Sequence, residues 1–155
     1  MTELKITLDD TEVRKKLNQL TDDLKDFKEP FRQAGDELLD YFGNKVFDSQ
    51  GKEAGEPWRA LSATTLKMRD ARIGHYKNPP ITTNKILIWT GALKKGFEKT
   101  VERTRLTIFN TVDYFKYHQA STGRPPQRKM LTINSKVIET VVNAINEYII
   151  KSIKK

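Results

Sequence analysis

Val137, Ile138, Val141, Val142, Ile145, Tyr148, Ile149 and Ile153 follow one another at steps of one, three and four residues. Only an α-helix brings such positions onto one side of a chain. Ser135 opens this last helix. Lys151, Lys154 and Lys155 close it, where positive charge suits the negative end of the helix dipole. Its apolar face is wide, so the helix buries deeply or meets a partner as well.

Two further helical patterns stand at the other end. Val13, Leu17, Leu20, Leu24 and Phe27 fall at helical spacing after the start signal Asp9-Asp10-Thr11-Glu12. Pro30 is expected to break or bend that helix, because proline lacks the N–H donor and crowds the preceding turn. Phe31, Ala34, Leu38, Phe42 and Val46 then form a second stripe, widened by Leu39 and Phe47. Gly35 and Gly43 weaken the expectation there, since an interior glycine costs about 1 kcal/mol relative to alanine.

Elsewhere the period is two. Leu4, Ile6 and Leu8 alternate with Lys5 and Thr7 as a short strand. Phe97, Lys99, Val101 and Arg103 share one side of a second, and Leu106, Ile108 and Asn110 one side of a third. Thr104 and Arg105 between them predict an antiparallel hairpin. The residues therefore predict an α+β class: long amphipathic helices packed on a small antiparallel sheet, in a single domain over residues 1–155 with long mobile loops. Short helices are expected after Ser62, after Thr90 and within Val112–Ala120. Asp48–Pro57, Ala71–Lys85 and Ser121–Gln127 read as loops. Ala71–Lys85 has no apolar period, contains Pro79-Pro80, and is expected to be mobile in isolation.

The chain has no cysteine, which removes disulfides, thiolate catalysis and thiolate metal ligation together. With 37% hydrophobic and 31% charged residues it belongs among globular chains. No apolar run reaches the roughly 20 residues of a membrane span, and the N-terminus has no signal-peptide pattern. The two histidines, His75 and His118, do not form a metal-binding pair. No nucleophile elbow, phosphate-binding loop or dinucleotide fingerprint appears. Carboxylates such as Asp36 and Asp40 read as solvated helix faces. No enzyme activity and no cofactor is expected. Trp58 and Trp89, at loop edges, read as plugs of the core.

A net charge of +8 suits a polyanion, an acidic partner or simply a solvated basic surface. Arg124, Arg128 and Lys129 form the densest basic cluster and are candidates for DNA or subunit contact. A small basic protein binding nucleic acid non-specifically is thus the alternative reading, without a recognised nucleic-acid-binding motif behind it.

Four short segments recur in a telling order. Trp58, Leu61, Ser62 and Thr65 give W-x-x-L-S-x-x-T. Ile86, Leu87, Thr90, Gly91 and Leu93 give I-L-x-x-T-G-x-L. Tyr114, His118 and Gln119 follow, then Pro126, Arg128 and Leu131 before the last helix. This order resembles the virion morphogenesis proteins of tailed bacteriophages, of the Mu-type tail-completion or neck kind, across nearly the whole chain past Phe31. Three positions depart from the pattern. Gly96 stands where serine is common, Gly123 comes late after His118-Gln119, and Arg128 is not followed by proline and an aromatic.

The resemblance implies a structural virion protein acting in tail completion or head–tail joining, as part of an oligomeric ring at the neck. Its implied partners are copies of itself, a portal-side connector or adaptor, and tail terminator or tail tube proteins, with genomic DNA passing through the channel and no membrane. It implies a virion location, at the neck or tail, after assembly in the host cytoplasm. The matched residues are implied to be structural rather than chemical.

Overall fold

The computed structural model describes residues 11–74, 85–120 and 126–154. The expected strand near Leu4, most of the loop expected to be mobile over Ala71–Lys85, and Arg124 lie outside them.

Helix α1 spans Thr11–Asp23. It ends seven residues before Pro30, in a turn at Leu24 and Lys25. Pro30 neither breaks nor bends α1. It sits in the first turn of α2, Lys28–Asp40, where a missing N–H costs nothing. Phe27 leaves the α1 stripe altogether, and its N–H donates to the Arg103 carbonyl at 2.9 Å. The apolar face of α1 is only partly covered: Leu17 and Leu24 are exposed.

Helix α2 runs on through a π-helical turn, Tyr41–Lys45, into the short α3, Val46–Asp48. The Val46 N–H donates to the Tyr41 carbonyl, five residues back. A wider turn sets Tyr41 above Val46 and Phe42 above Phe47, so all four enter the core. A uniform α-helix would carry Phe47 to the face opposite Leu38. Gly35 and Gly43, expected to weaken this segment, are packing positions. A Cβ at Gly35 would lie 2.7 Å from Lys99 Cδ, and one at Gly43 would lie 3.1 Å from the Lys94 carbonyl.

The hairpin forms as its alternation predicts. Strands β1, Phe97–Val101, and β2, Leu106–Asn110, pair antiparallel, with Phe97 opposite Asn110 and Val101 opposite Leu106. Lys99 ties the sheet to α2: its Nζ lies 2.6 Å from Asp36 and donates to the Arg32 carbonyl at 2.8 Å.

Helices α4 (Ala63–Asp70), α5 (Ala92–Lys95) and α6 (Phe115–Gln119) are short. Helix α7 spans Ser135–Ile153, with Asn134 Oδ1 accepting the Val137 N–H at 3.1 Å as its cap. It runs antiparallel to α2: Gln33 reaches Glu147, and Asn134 reaches Tyr41. The α+β expectation is therefore met, with helices packed on a two-stranded antiparallel sheet. The core is aromatic at its centre. Phe47 meets Trp58 edge-on at 5.2 Å, and Phe97 packs on Phe42 at 6.0 Å and Phe115 at 5.8 Å.

Candidate functional site

Three of the four motif segments meet at one junction. Trp58 is buried, and its indole Nε1–H donates to the Lys129 carbonyl at 2.8 Å. Arg128 is also buried. Its Nε and Nη2 both donate to the Arg59 carbonyl, at 3.2 and 3.0 Å. Its backbone N–H donates to the His118 carbonyl at 2.8 Å. Gln119 completes the lattice: Oε1 accepts the N–H groups of Met130 and Leu131, and Nε2 donates to the Leu131 carbonyl at 2.6 Å. Segments far apart in sequence are thus fastened backbone-first, by side chains that each satisfy main-chain groups.

His118 lies half-buried beside this junction, edge-on to Tyr114 with ring centroids 6.4 Å apart. Burial, and then the Arg128 charge, hold its pKa below the ordinary 6.5. Its Nδ1 is buried with no hydrogen-bond partner among the described residues. A neutral imidazole fits that environment.

The first motif continues into a helix cap. Ser62 Oγ accepts the Thr65 N–H at 3.1 Å and lies 2.9 Å from the Thr65 hydroxyl. Leu61 packs on the core at partial burial. The T-G-x-L segment builds the second feature. Gly91, with φ of 80°, caps α5 through its backbone; Thr90 does so only through a 3.3 Å contact from the Ala92 N–H. Glycine takes this left-handed conformation without strain. Leu87 takes it too, at φ of 59°, where a branched side chain is uncommon. Leu93 is buried, and its carbonyl accepts from Asn110 Nδ2 at 2.8 Å.

A cleft of about 700 Å³ opens between this segment and the π turn. Asp40, Asn44 and Asp48 line it from the helical side, Lys85, Lys94 and Lys95 from the other, over Ile88 and Phe97. Lys94 reaches Asp48 at 3.1 Å. The lining suits a polypeptide surface, with apolar area at its base and charges of both signs at its edge.

The basic cluster divides. Lys129 is exposed, while Arg128 is turned inward onto Arg59. Of the three residues expected as candidates for DNA or subunit contact, Lys129 is presented on the surface, Arg128 is buried and donates to a backbone carbonyl, and Arg124 lies outside the described residues. Trp89 stacks under Arg69, whose guanidinium carbon lies 5.2 Å from the ring centre.

Several supporting residues escape a reading of the sequence. Buried Arg69 donates to the Lys85 carbonyl at 3.0 Å. Gln50 Oε1 accepts the Ile86 N–H at 2.7 Å, and Gln50 Nε2 donates to the Phe47 carbonyl at 2.6 Å. Tyr41 donates to the Glu53 carbonyl at 2.5 Å. On sequence alone the first two look like solvated polar residues. Only Asn134 carries a signal, as a cap residue directly before an apolar run.

Among the described residues no group of three or more histidine and carboxylate side chains could hold a metal ion. No described helix is long and apolar enough to cross a membrane. The model of the phage virion morphogenesis family matches residues 8–149. No curated protein and no solved structure matches the chain.

Proposed function

The chain belongs to the phage virion morphogenesis family, and from that premise we propose that it acts in tail completion or head–tail joining, as one subunit of an oligomeric ring at the neck. Its role in the phage is structural and virion-associated. The observation that carries the finer reading is the junction of motifs. Trp58, Gln119 and Arg128 all aim polar atoms at backbone carbonyls and N–H groups of neighbouring segments. Such residues fix the shape of a surface and perform no chemistry.

In this reading the cleft beside Gly91 receives a segment of a neighbouring subunit, from another copy, the portal-side adaptor or a tail terminator or tube protein. Rings arise when head-to-tail contacts of this kind close on themselves. Genomic DNA passes through the channel, which the net charge of +8 tolerates. No catalysis is assigned.

The test is electron microscopy of a phage carrying a deletion of this gene. Full heads beside unattached or abnormal tails are expected. Normal joined particles would overturn the reading.

A further inference from the structure

The two-stranded sheet has an open edge along β2. The Thr111 N–H donates to the Gly96 carbonyl, and the Glu102 N–H to the Arg105 carbonyl. In an antiparallel ladder these two bonds fix which pairs face each other through hydrogen bonds. The main-chain N–H and C=O groups of Leu106, Ile108 and Asn110 therefore point away from β1. Among the described residues no hydrogen bond reaches those groups. Charge or proline commonly guards such an edge; β2 has neither, whereas β1 carries Glu98 and Lys99. Along β2 the side chains alternate: Leu106 and Ile108 pack on the core, and Thr107 and Phe109 are exposed.

Residues 4–8, outside the described residues, carry the same alternation. Leu4, Ile6 and Leu8 alternate with Lys5 and Thr7, and their five positions equal the five of β2. A segment of this pattern needs an edge, because a lone strand leaves its backbone groups unpaired. Beside β2, Leu4, Ile6 and Leu8 would extend the apolar face of Leu106 and Ile108.

Helix α1 decides whose edge the segment meets. Only Asp9 and Asp10 separate Leu8 from Thr11, so the segment ends within about 10 Å of the helix N-terminus. The helix touches the fold at its other end. Leu20 and Asp23 are partly buried, and Tyr148 Oη donates to the Asp23 carbonyl at 3.5 Å. Every residue from 14 to 19 is exposed. A helix lying on its own body buries one face along its length. This one leaves the body, and carries the segment about 18 Å from Asp23.

We propose that residues 4–8 of one copy add a third strand to the β2 edge of the next copy. Main-chain hydrogen bonds supply the affinity, and the shared alternation sets which face turns inward. Arm and edge are different surfaces, so the contact is head-to-tail, the kind that closes into a ring. Its place at the neck rests on the function proposed above.

Sedimentation velocity on the purified full chain tests the contact without the phage, from micromolar to submillimolar concentration. Its failure is thus distinct from failure of the neck reading. Association beyond a dimer is expected. Removal of residues 2–9 should weaken it at least ~10-fold. So should Ile6→Pro with Thr7→Pro at full length, because one of two successive N–H groups faces the edge. At the lowest concentration both variants should melt with the parent chain. Disulfides show which copy supplies the strand, since the chain has no cysteine of its own. Thr7→Cys mixed with Thr107→Cys or Phe109→Cys should give a covalent heterodimer on oxidation. A monomer at every concentration overturns the proposal, as does an association that survives both variants. So does the lack of a heterodimer with either partner. A disulfide closed within one chain, in the variant carrying Thr7→Cys and Phe109→Cys together, also overturns it and puts the strand on its own sheet.

Discussion

The Trp58 indole donates to the Lys129 carbonyl at 2.8 Å, across 71 residues of chain. The same ring stands edge-on to Phe47 at 5.2 Å. One side chain therefore joins the aromatic core to the segment that leads into α7. Trp58→Ala removes both links and is expected to cost about 3–5 kcal/mol. Trp58→Phe keeps an aromatic ring but leaves the carbonyl without its donor, and is expected to cost about 1–3 kcal/mol. Urea unfolding of the two variants checks the order. No loss for Trp58→Phe would show that the hydrogen bond adds nothing.

Gly51 and Gly55 separate strain from crowding. Both have left-handed backbone, at φ of 91° and 112°. A Cβ at Gly51 would meet the Trp58 indole, with Nε1 at 2.5 Å and the Glu56 carbonyl at 2.7 Å, whereas one at Gly55 meets nothing within 4 Å. Gly55→Ala should carry only the conformational cost, about 1–2 kcal/mol. Gly51→Ala should cost at least ~1 kcal/mol more, through overpacking. Thermal melts of the pair decide it.

Gly96 stands where the resemblance leads to an expectation of serine, and the structure leaves little room for a side chain there. A Cβ there would lie 2.8 Å from Asn110 Oδ1 and 2.9 Å from Val112 Cγ2. Asn110 cannot yield easily, because Oδ1 accepts the Val112 N–H at 3.0 Å and Nδ2 donates to Leu93. Gly96→Ser is expected to destabilise by about 1–3 kcal/mol. Gly96→Ser with Asn110→Gly should recover part of that loss. No recovery would place the crowding elsewhere.

His118 makes stability depend on pH in a known direction. Its folded pKa lies below the ordinary 6.5, through burial first and Arg128 second. The unfolded chain therefore binds the proton more readily. Stability is fully present above about 6.5 and falls as pH drops from there toward the folded pKa. Melts between neutral and mildly acidic pH should show that fall in the parent chain, and His118→Gln should flatten it. An unchanged slope in the variant would assign the effect to another group.

The hairpin and the outer helices are legible because each buries one face, and period follows burial directly. Val101 and Leu106, or Val137 and Val141, are unambiguous on that ground. The π turn is not legible. No residue type encodes it, and it exists because Tyr41 and Phe42 gain burial together with Val46 and Phe47. The α1 stripe fails in the opposite way: Leu17 and Leu20 share one helical face, yet the fold covers Leu20 only in part and leaves Leu17 exposed, and Leu24 falls in the turn beyond the helix. At the junction, Trp58 is legible as a core plug because a large apolar side chain has little choice. Arg69, Gln50 and Arg128 are not, since a polar residue is buried only when a distant backbone group needs it. That need appears only after folding.

Arg128 and Lys129 are adjacent in sequence and opposite in role, which gives a direct test of the basic segment. Arg128 is buried and donates twice to the Arg59 carbonyl; Lys129 is exposed. Arg128→Ala removes a buried side chain and both of its hydrogen bonds to that carbonyl, and should cost about 1–3 kcal/mol. Lys129→Ala should change stability by no more than about 0.5 kcal/mol. The two part again in binding to DNA. If the segment touches phosphates, affinity falls steeply with salt, and removal of one contact lowers the slope by about 1. Lys129→Ala would then reduce the salt slope without moving the melt. The expected outcome is otherwise: a lower melt for Arg128→Ala, no change for Lys129→Ala, and the same salt slope for both. A reduced slope for Lys129→Ala would favour the nucleic-acid reading over one in which this segment serves the fold.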